Sequence, residues 1–383
     1  MQENRRYKIF RISTVPTSMN NFCKGFLAQL SEEYDVVAIS SAGNALKEIE
    51  ERENIRTIPI HMERRISILK DFISLINLVR LFMKEKPDLV HSMTPKAGLL
   101  SMVAGFLTRV PIRIHTFTGL VFPTKKGFIK YVLIAMDKIT CWCATYINPE
   151  GEGVKTDLKR ITNKPLHIIG NGNVRGVDMN YYSQTESLLK ISKSLREDNT
   201  KIFCYVGRIV QDKGINELVE AFSKLVKEFS NIKLFLIGDY EDKIDPILPI
   251  TRQCIEQIRE IEFCGYQNDV RPWLLASDYF VLPSYREGFP NSVLEAGAMG
   301  LPCIVTNING SNEIIENGIN GEIVEPKDAE QLYRKMREWL LNPEKVEEMA
   351  KNARGIVESK FEQQCLWDNI QKTYKELLSN KCS

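Results

Sequence analysis

No stretch of this sequence is apolar for long enough to cross a bilayer. The longest, Ala97 to Leu107, is broken by Ser101 and two glycines, whereas a spanning helix needs ~20 apolar residues. No secretory leader is visible, because Lys8 and Arg11 interrupt the only early apolar segment. The expectation is a cytoplasmic protein, free to rest on a membrane from that side. A disulfide framework is excluded by nine cysteines, an odd number without regular spacing. Cys141 and Cys143 form a C-x-C pair, yet no second pair or nearby histidine completes the four ligands of structural zinc, so no metal is expected there. Nucleic-acid binding is not expected either, since there is neither a continuous basic patch nor a recognised motif.

What is present describes an ordinary globular chain. Apolar residues make up 43% and charged residues 26%, which excludes wholesale disorder. The 383 residues suffice for two domains with their own cores. The net charge of +2 hides an asymmetry. Residues 1–180 hold 26 Lys and Arg against 17 Asp and Glu, net +9, and the remainder holds 25 against 32, net −7. A basic first half suits an anionic surface or substrate; chance distribution of solvated charge is the alternative.

Strand-like and helix-like segments alternate twice. In the first half Tyr7–Ile12, Val36–Ile39, Leu89–His91 and Ile112–Thr116 read as strands. Phe22–Leu30, Ile66–Lys84 and Gly98–Phe106 read as helices between them. A second series starts at Ile202–Val206, followed by a helix over Ile215–Phe229. It continues with strands at Lys233–Ile237, Ile261–Cys264, Tyr279–Leu282 and Pro302–Val305. Such alternation predicts two α/β domains built on parallel sheets. The boundaries read as 1–182, a connection over 183–200, 201–360, and a terminal helix over 361–383 that crosses back to the first domain. The helices of Val346–Leu378 are expected to break near Gly355.

Four features follow successive strands of the second domain. Gly207 to Gly214 places Arg208 and Lys213 in one loop, where a guanidinium fork and an ammonium reach a diphosphate or remain solvated cations. Gly238 and Gly265 close the next two strands, and Tyr266 either faces a nucleobase or fills the domain edge. The fourth feature, Pro283 to Gly300, combines Glu287 with a helix starting near Asn291. The N–H groups of that helix start suit a diphosphate. Glu295, alone in a small apolar segment, needs a partner such as a ribose diol or an arginine.

These elements resemble the retaining glycosyltransferases of family 4, which have the GT-B fold. The family's E-x7-E pattern is met by Glu287 and Glu295 within EGFPNSVLEAGAMGLPCIV, and its GR-x4-KG element by Gly207, Arg208, Lys213 and Gly214. The stretch NGSNEIIENGINGEIVEPKD continues the pattern, with Glu313 near the donor and Gly318 and Gly321 in a turn. The resemblance implies two Rossmann-like domains with parallel sheets facing across a cleft. It implies that Arg208 and Lys213 hold a donor diphosphate, that Glu295 binds ribose and that Glu287 contacts the transferred sugar. Backbone groups of Phe289, Pro290 and Asn291, with Gly265 and Tyr266 at the base, would complete the site. The first half, with HSMTPKAGLLSMVAG, RIHTFTGLVFPTKKGFIKYVLIAMDK and GNGNVRGVD, resembles the capsule and O-antigen subgroup. Two departures stand out. Thr118 precedes Gly119 where many relatives have histidine, His115 lying three residues earlier, and Thr14 to Asn20 replaces a double glycine.

The implied reaction moves a sugar from a nucleotide diphosphate sugar, expected to be a UDP-sugar, to a lipid-diphosphate-linked glycan with retention. No cofactor is expected, and the lack of a D-x-D pair fits metal-independent transfer. The acceptor side would involve His115, Thr118 and Gly119. Lys96, Lys125, Lys126 and Lys130, with Phe122, Phe128 and Tyr131, would form a basic aromatic face for acceptor diphosphate and inner-membrane headgroups, extended by Arg64, Arg65, Lys70, Ile66, Ile68 and Leu69. An amphipathic helix packed on the sheet is the alternative. Other readings on the same fold are a sugar epimerase, a phosphorylase or a non-enzymatic nucleotide-sugar binding module.

Overall fold

The computed structural model describes residues 5–63 and 67–380. The chain forms two units, one running to Gly176 and resuming at Gln364, the other spanning Val177–Gln363. In the first unit the elements run β1 (Lys8–Ile12), α1 (Pro16–Cys23), α2 (Phe26–Ser31), β2 (Asp35–Ser40), α3 (Asn44–Glu53), β3 (Arg56–Pro59) and α4 (Ile68–Glu85). They continue as β4 (Leu89–Met93), α5 (Pro95–Leu107), β5 (Ile112–Phe117), α6 (Gly127–Cys143), β6 (Tyr146–Pro149) and α7 (Glu152–Leu158). The second unit runs α8 (Glu186–Leu195), β7 (Lys201–Val206), α9 (Ile215–Leu225), β8 (Ile232–Ile237), α10 (Pro249–Gln257), β9 (Ile261–Gly265) and α11 (Arg271–Ala276). It continues as β10 (Tyr279–Leu282), α12 (Asn291–Ala298), β11 (Cys303–Thr306), α13 (Ser311–Ile314), β12 (Gly321–Val324), α14 (Ala329–Leu341) and α15 (Pro343–Phe361). The last helix, α16 (Gln363–Ser379), packs in the first unit.

Each unit holds one six-stranded sheet, ordered β3-β2-β1-β4-β5-β6 and β12-β11-β10-β7-β8-β9, with every strand pair parallel. Read from its first strand outward, the second sheet has the same order as the first. The chain reverses its direction of winding between β1 and β4 in one unit and between β7 and β10 in the other. At such a switch point, loops leave the carboxyl ends of adjacent strands toward opposite sides and open a crevice. Central strands such as β8 are nearly continuous runs of buried Ile, Leu and Phe, as sheets covered on both faces require.

Several elements differ from the sequence expectation. β3, β6 and β12 were not expected; all are four-residue edge strands, two of them carrying a proline. Gly321 opens β12, pairing with Cys303, instead of lying in a turn, whereas Gly318 has a turn's positive φ of 80°. The helix expected over Phe22–Leu30 is split at Gly25, whose N–H donates to Glu53 Oε1 at 2.9 Å, while Ala28 N–H donates to Glu53 Oε2 at 3.1 Å. The buried Glu53 carboxylate therefore serves the start of α2. Residues 183–200 belong to the second unit, where α8 packs on α11. Gly355 sits within α15; the break falls at Glu362, where Val177 exchanges backbone hydrogen bonds with Phe361 and Gln363. The helix after Lys213 ends at Leu225, four residues before Phe229.

The first unit's core contains a guanidinium with no carboxylate among its described hydrogen-bond partners. Arg11, 2% exposed, donates from Nη1 to His91 Nδ1 and to Tyr374 Oη, both at 2.6 Å, and from Nη2 to the sulfurs of Cys23 and Met93, both at 3.3 Å. Burial, then the Arg11 charge, depress the His91 pKa, so the ring is neutral. Its Nδ1 accepts from Arg11, which leaves Nε2–H to donate to Thr116 Oγ1 at 2.6 Å. Tyr374 lies on α16, so this cluster ties the end of the chain to β1 and β4. Tyr374→Phe should therefore cost about 1–3 kcal/mol by stranding buried polar groups. Urea denaturation measures this, and an unchanged midpoint would show that Arg11 does not depend on α16.

Candidate functional site

The switch point of the second unit brings together the two loops that carry most of the sequence signals. β7 lies beside β10. Their carboxyl ends lead into the Gly207–Gly214 loop and the Pro283–Asn291 loop. The backbones approach so closely that two positions exclude a side chain. A Cβ on Gly238 would lie 1.9 Å from the Gly207 carbonyl oxygen, and one on Gly214, at φ 71°, would lie 2.0 Å from the Pro283 carbonyl oxygen. Gly238 also donates its N–H to the Gly265 carbonyl at 2.9 Å. Gly207, Gly238 and Gly265 thus mark three adjacent strand ends.

The two loops are bonded to each other. Lys213 Nζ forms an ion pair with Glu287 Oε1, and both side chains are largely buried. Ser284 Oγ donates to the same Glu287 oxygen at 2.8 Å. Tyr285 N–H donates to the Asp212 carbonyl at 2.8 Å, and Arg286 Nε donates to Asp212 Oδ2 at 3.1 Å. Tyr285 Oη reaches Glu217 Oε1 on α9 at 2.6 Å, while the Ser284 carbonyl accepts from Thr306 Oγ1 at 2.5 Å. Arg208 does not share the Lys213 partner. It is half-exposed, and its Nη1 pairs with Glu241 Oε2 at 2.5 Å. The two cations of the loop are each held by a different carboxylate.

The second of these loops ends in α12, which starts after Pro290 and has no side-chain cap. Its first peptide N–H groups therefore point out of the helix at a site biased toward anions. Glu295 is buried one turn inside, on a helix packed against α15. The Phe289 side chain is buried in the core against Phe361, centroids 5.4 Å apart, so only its backbone is offered to a ligand. Glu313 accepts the Gly310 N–H at 3.2 Å and closes the start of α13. Tyr266 is exposed, contrary to the reading that it fills the domain edge. Near it, Arg252 stacks over Tyr240 at 4.0 Å, and Tyr240 lies against Phe263 at 4.7 Å.

In the first unit the corresponding switch point is pinned by hydroxyls. Thr14 Oγ1 and Thr94 Oγ1 lie 2.7 Å apart, and Ala97 N–H donates to Thr14 Oγ1 at 3.2 Å. His115, Thr118 and Gly119 line one pocket at the carboxyl end of β5. His115 is buried, its Nδ1 is 2.9 Å from Ser92 Oγ, and burial pushes its pKa down to about 3. Its ring occupies the space where a Cβ on Gly98 would stand, 2.2 Å away.

Lys96 is not part of an exposed basic face; it is 5% exposed and bonded to Asp71 Oδ2 at 2.5 Å. Phe122 is also buried rather than exposed. Lys125, Lys126, Phe128 and Tyr131 are exposed, and Lys70 is exposed but paired with Glu63. Arg64, Arg65 and Ile66 lie outside the described residues. Burial raises the pKa of both Cys141 and Cys143, and no group of three or more metal-binding side chains occurs among the described residues. No helix among the described residues is long and apolar enough to cross a membrane.

Several residues of the two switch points escaped the sequence reading: Ser284, Asp212, Glu241, Glu217, Thr94 and the Tyr240–Arg252 stack. Ser284 and Asp212 stand inside the motif loops, so their position was a usable signal. Glu241 and Glu217 acquire partners only through strand order, which spacing does not encode.

Comparison with known proteins agrees with this architecture. Residues 188–356 match the family described as glycosyl transferases group 1, and residues 11–145 match glycosyl transferase 4-like. The chain is 35% identical over 379 residues to the capsular polysaccharide biosynthesis glycosyltransferase CapM of Staphylococcus aureus, covering 98% of each chain. It is 31% identical over 329 residues to the Escherichia coli UDP-Gal:alpha-D-GlcNAc-diphosphoundecaprenol alpha-1,3-galactosyltransferase, covering 83% of each. Among solved structures, Anabaena HepE in complex with UDP superposes with a TM-score of 0.78 at 18% identity, covering 97% of this chain and all of the other, which speaks for the fold. With two matching domain families and a full-length capsular relative, the chain belongs to the group 1, family 4-like glycosyltransferases.

Proposed function

We propose that the chain transfers a sugar from a UDP-sugar to a lipid-diphosphate-linked glycan in surface-polysaccharide assembly, with retention and without a metal ion. The observation that carries this reading is the juxtaposition at the β7/β10 switch point of Lys213, Glu287 and the uncapped start of α12. Cleavage at the anomeric carbon leaves negative charge on the nucleoside diphosphate. Cations and N–H groups fixed where that charge grows stabilise the transition state more than the ground state. Lys213 and Arg208 turn from Glu287 and Glu241 toward the diphosphate, and the α12 N–H groups receive its oxygens. Freed from Lys213, Glu287 orients sugar hydroxyls, Glu295 takes the ribose diol, and the exposed Tyr266 lies against the base. The acceptor hydroxyl attacks from the leaving-group face and its proton passes to the departing phosphate. The field comes from the protein, so this reading requires no Lewis acid.

The acceptor class is supported by the E. coli relative, whose name specifies a diphosphoundecaprenol-linked sugar. Peripheral binding to the cytoplasmic face of the inner membrane is supported by a layer of α4, α5 and α6 that presents apolar side chains to solvent. Ile68, Leu69 and Phe128 are each about four-fifths exposed, at 82%, 79% and 82%, and Lys125 and Lys126 stand beside Phe128. Apolar insertion combined with cations suits an anionic bilayer.

A panel of nucleotide sugars against lipid-diphosphate acceptors, read by mass spectrometry, tests the reaction. A glycosylated lipid with an α-linkage from an α-linked donor is expected, in the presence of EDTA as in its absence. An epimerised nucleotide sugar or a sugar phosphate as the product would favour the rival activities. Lys213→Ala should lower the transfer rate by about 100-fold or more, and Glu295→Ala should weaken donor binding roughly 10- to 100-fold without loss of the folded state. Full activity of either variant would remove the role assigned to it. Co-sedimentation with vesicles containing anionic lipid should fall when Lys125 and Lys126 are both replaced by Glu, and equal binding would move the contact elsewhere.

A further inference from the structure

Helix α12 has eight residues, a length of about 12 Å, so a displacement at its far end is carried to its start. The last four carbonyls of a helix need partners from outside its own ladder. In α12 the Glu295 and Ala296 carbonyls accept from the Met299 N–H, both at 3.1 Å, and the Gly297 carbonyl accepts from the Gly300 N–H at 2.9 Å. The Ala298 carbonyl is taken by a side chain of another helix, the guanidinium of Arg354 on α15, through Nη1. Nη1 also donates to the Tyr182 carbonyl at 2.6 Å, and Nη2 donates to the Met179 carbonyl at 3.0 Å. Arg354 is partly buried and has no carboxylate partner among the described residues. Its charge therefore stands at the C-terminal end of α12, where the helix dipole favours a cation.

Two more residues of α15 continue this line of contact. Val357 is fully buried, and a Cβ on Gly297 of α12 would stand 2.8 Å from its Cγ2. Phe361 meets Phe289, just ahead of the first residue of α12. Positions 354, 357 and 361 are spaced by three and four, which places them on one face of α15. That face holds α12 at its last carbonyl, at Gly297 and before its start. The backbone partners of Arg354 are anchored in turn: Val177, next to Met179, exchanges hydrogen bonds with Phe361 and Gln363 at 2.9 and 3.0 Å.

We propose that Arg354 is a positioning residue for the donor diphosphate. By tying the last carbonyl of α12 to Met179 and Tyr182, it sets where the helix lies along its own axis, and hence where the N–H groups at its start meet the phosphate oxygens. This rests on the glycosyltransferase reading, with the diphosphate at the start of α12. Arg354 itself touches no substrate. Without it three carbonyls lose their donor, and α12 can slide or fray from its C-terminal end. Hydrogen bonds weaken steeply with distance and angle, so the loss falls on the diphosphate.

The full chain is titrated calorimetrically with UDP and with uridine as wild type, Arg354→Ala and Arg354→Lys, and the melting temperature of each is recorded. Arg354→Ala should cut the ratio of UDP to uridine affinity about tenfold and raise the KM for the nucleotide sugar similarly, with the acceptor KM unchanged. Arg354→Lys keeps the charge but cannot bridge three carbonyls, and should recover part of the loss. A residue that serves only the stability of the fold would lower the melting temperature and leave the affinity ratio alone; that result would overturn the proposal. If Arg354→Ala does not fold, Arg354→Lys decides: a ratio reduced about threefold or more supports the role, and a wild-type ratio overturns it. If wild type binds UDP no better than uridine, the donor-site reading fails and this inference falls with it; if wild type holds the advantage and the variants keep it, only the inference fails.

Discussion

The bond between Lys213 and Glu287 joins two loops that belong to different strands and are separated by 74 positions in the chain. It exists because β7 and β10 are neighbours at the point where the sheet reverses its winding. It keeps an ammonium at the crevice without leaving that charge uncompensated in a largely buried position. In the proposed transfer, an arriving diphosphate takes over the lysine and frees the carboxylate for hydroxyl groups. The same pair thus stores, in a stable form, the two charges that the proposed transfer needs apart. Ser284 holds Glu287 from behind, and the bonds from Tyr285 and Arg286 to Asp212 join the two loops independently of the ion pair.

The two units share one strand order but fill their switch points differently. The second uses glycines, so neighbouring loop backbones approach where a single Cβ would collide with a carbonyl oxygen. The first closes its crevice with the Thr14–Thr94 contact, and a small pocket lies at the end of β5 against α6. Its core accommodates Arg11 by giving the guanidinium a neutral histidine, a tyrosine and two sulfurs. That arrangement recruits Tyr374 from α16, which packs in the same unit.

Much of this was legible in the sequence, and the failures have a common cause. Central strands read clearly because burial on both faces makes them uniformly apolar. The edge strands β3, β6 and β12 did not, being short and half polar. The motif loops were found by residue type and order. Which cation meets which carboxylate was not, because Arg208 with Glu241 and Lys96 with Asp71 are matched by strand adjacency and helix packing rather than by spacing. Gly355 suggested a helix break, yet it faces open space within α15, where a missing side chain costs little packing. Phe122 and Lys96 looked like surface because the segments around them are charged; each is buried by the fold of its own unit.

The proposed recognition of a nucleoside diphosphate at the second unit's switch point rests chiefly on charge. Calorimetric titration of the full chain with UDP and with uridine measures this directly. UDP is expected to bind at least a hundredfold more tightly than uridine, and that advantage is expected to shrink when Lys213 is replaced by alanine. Equal affinities for UDP and uridine, or an advantage untouched by the substitution, would contradict it.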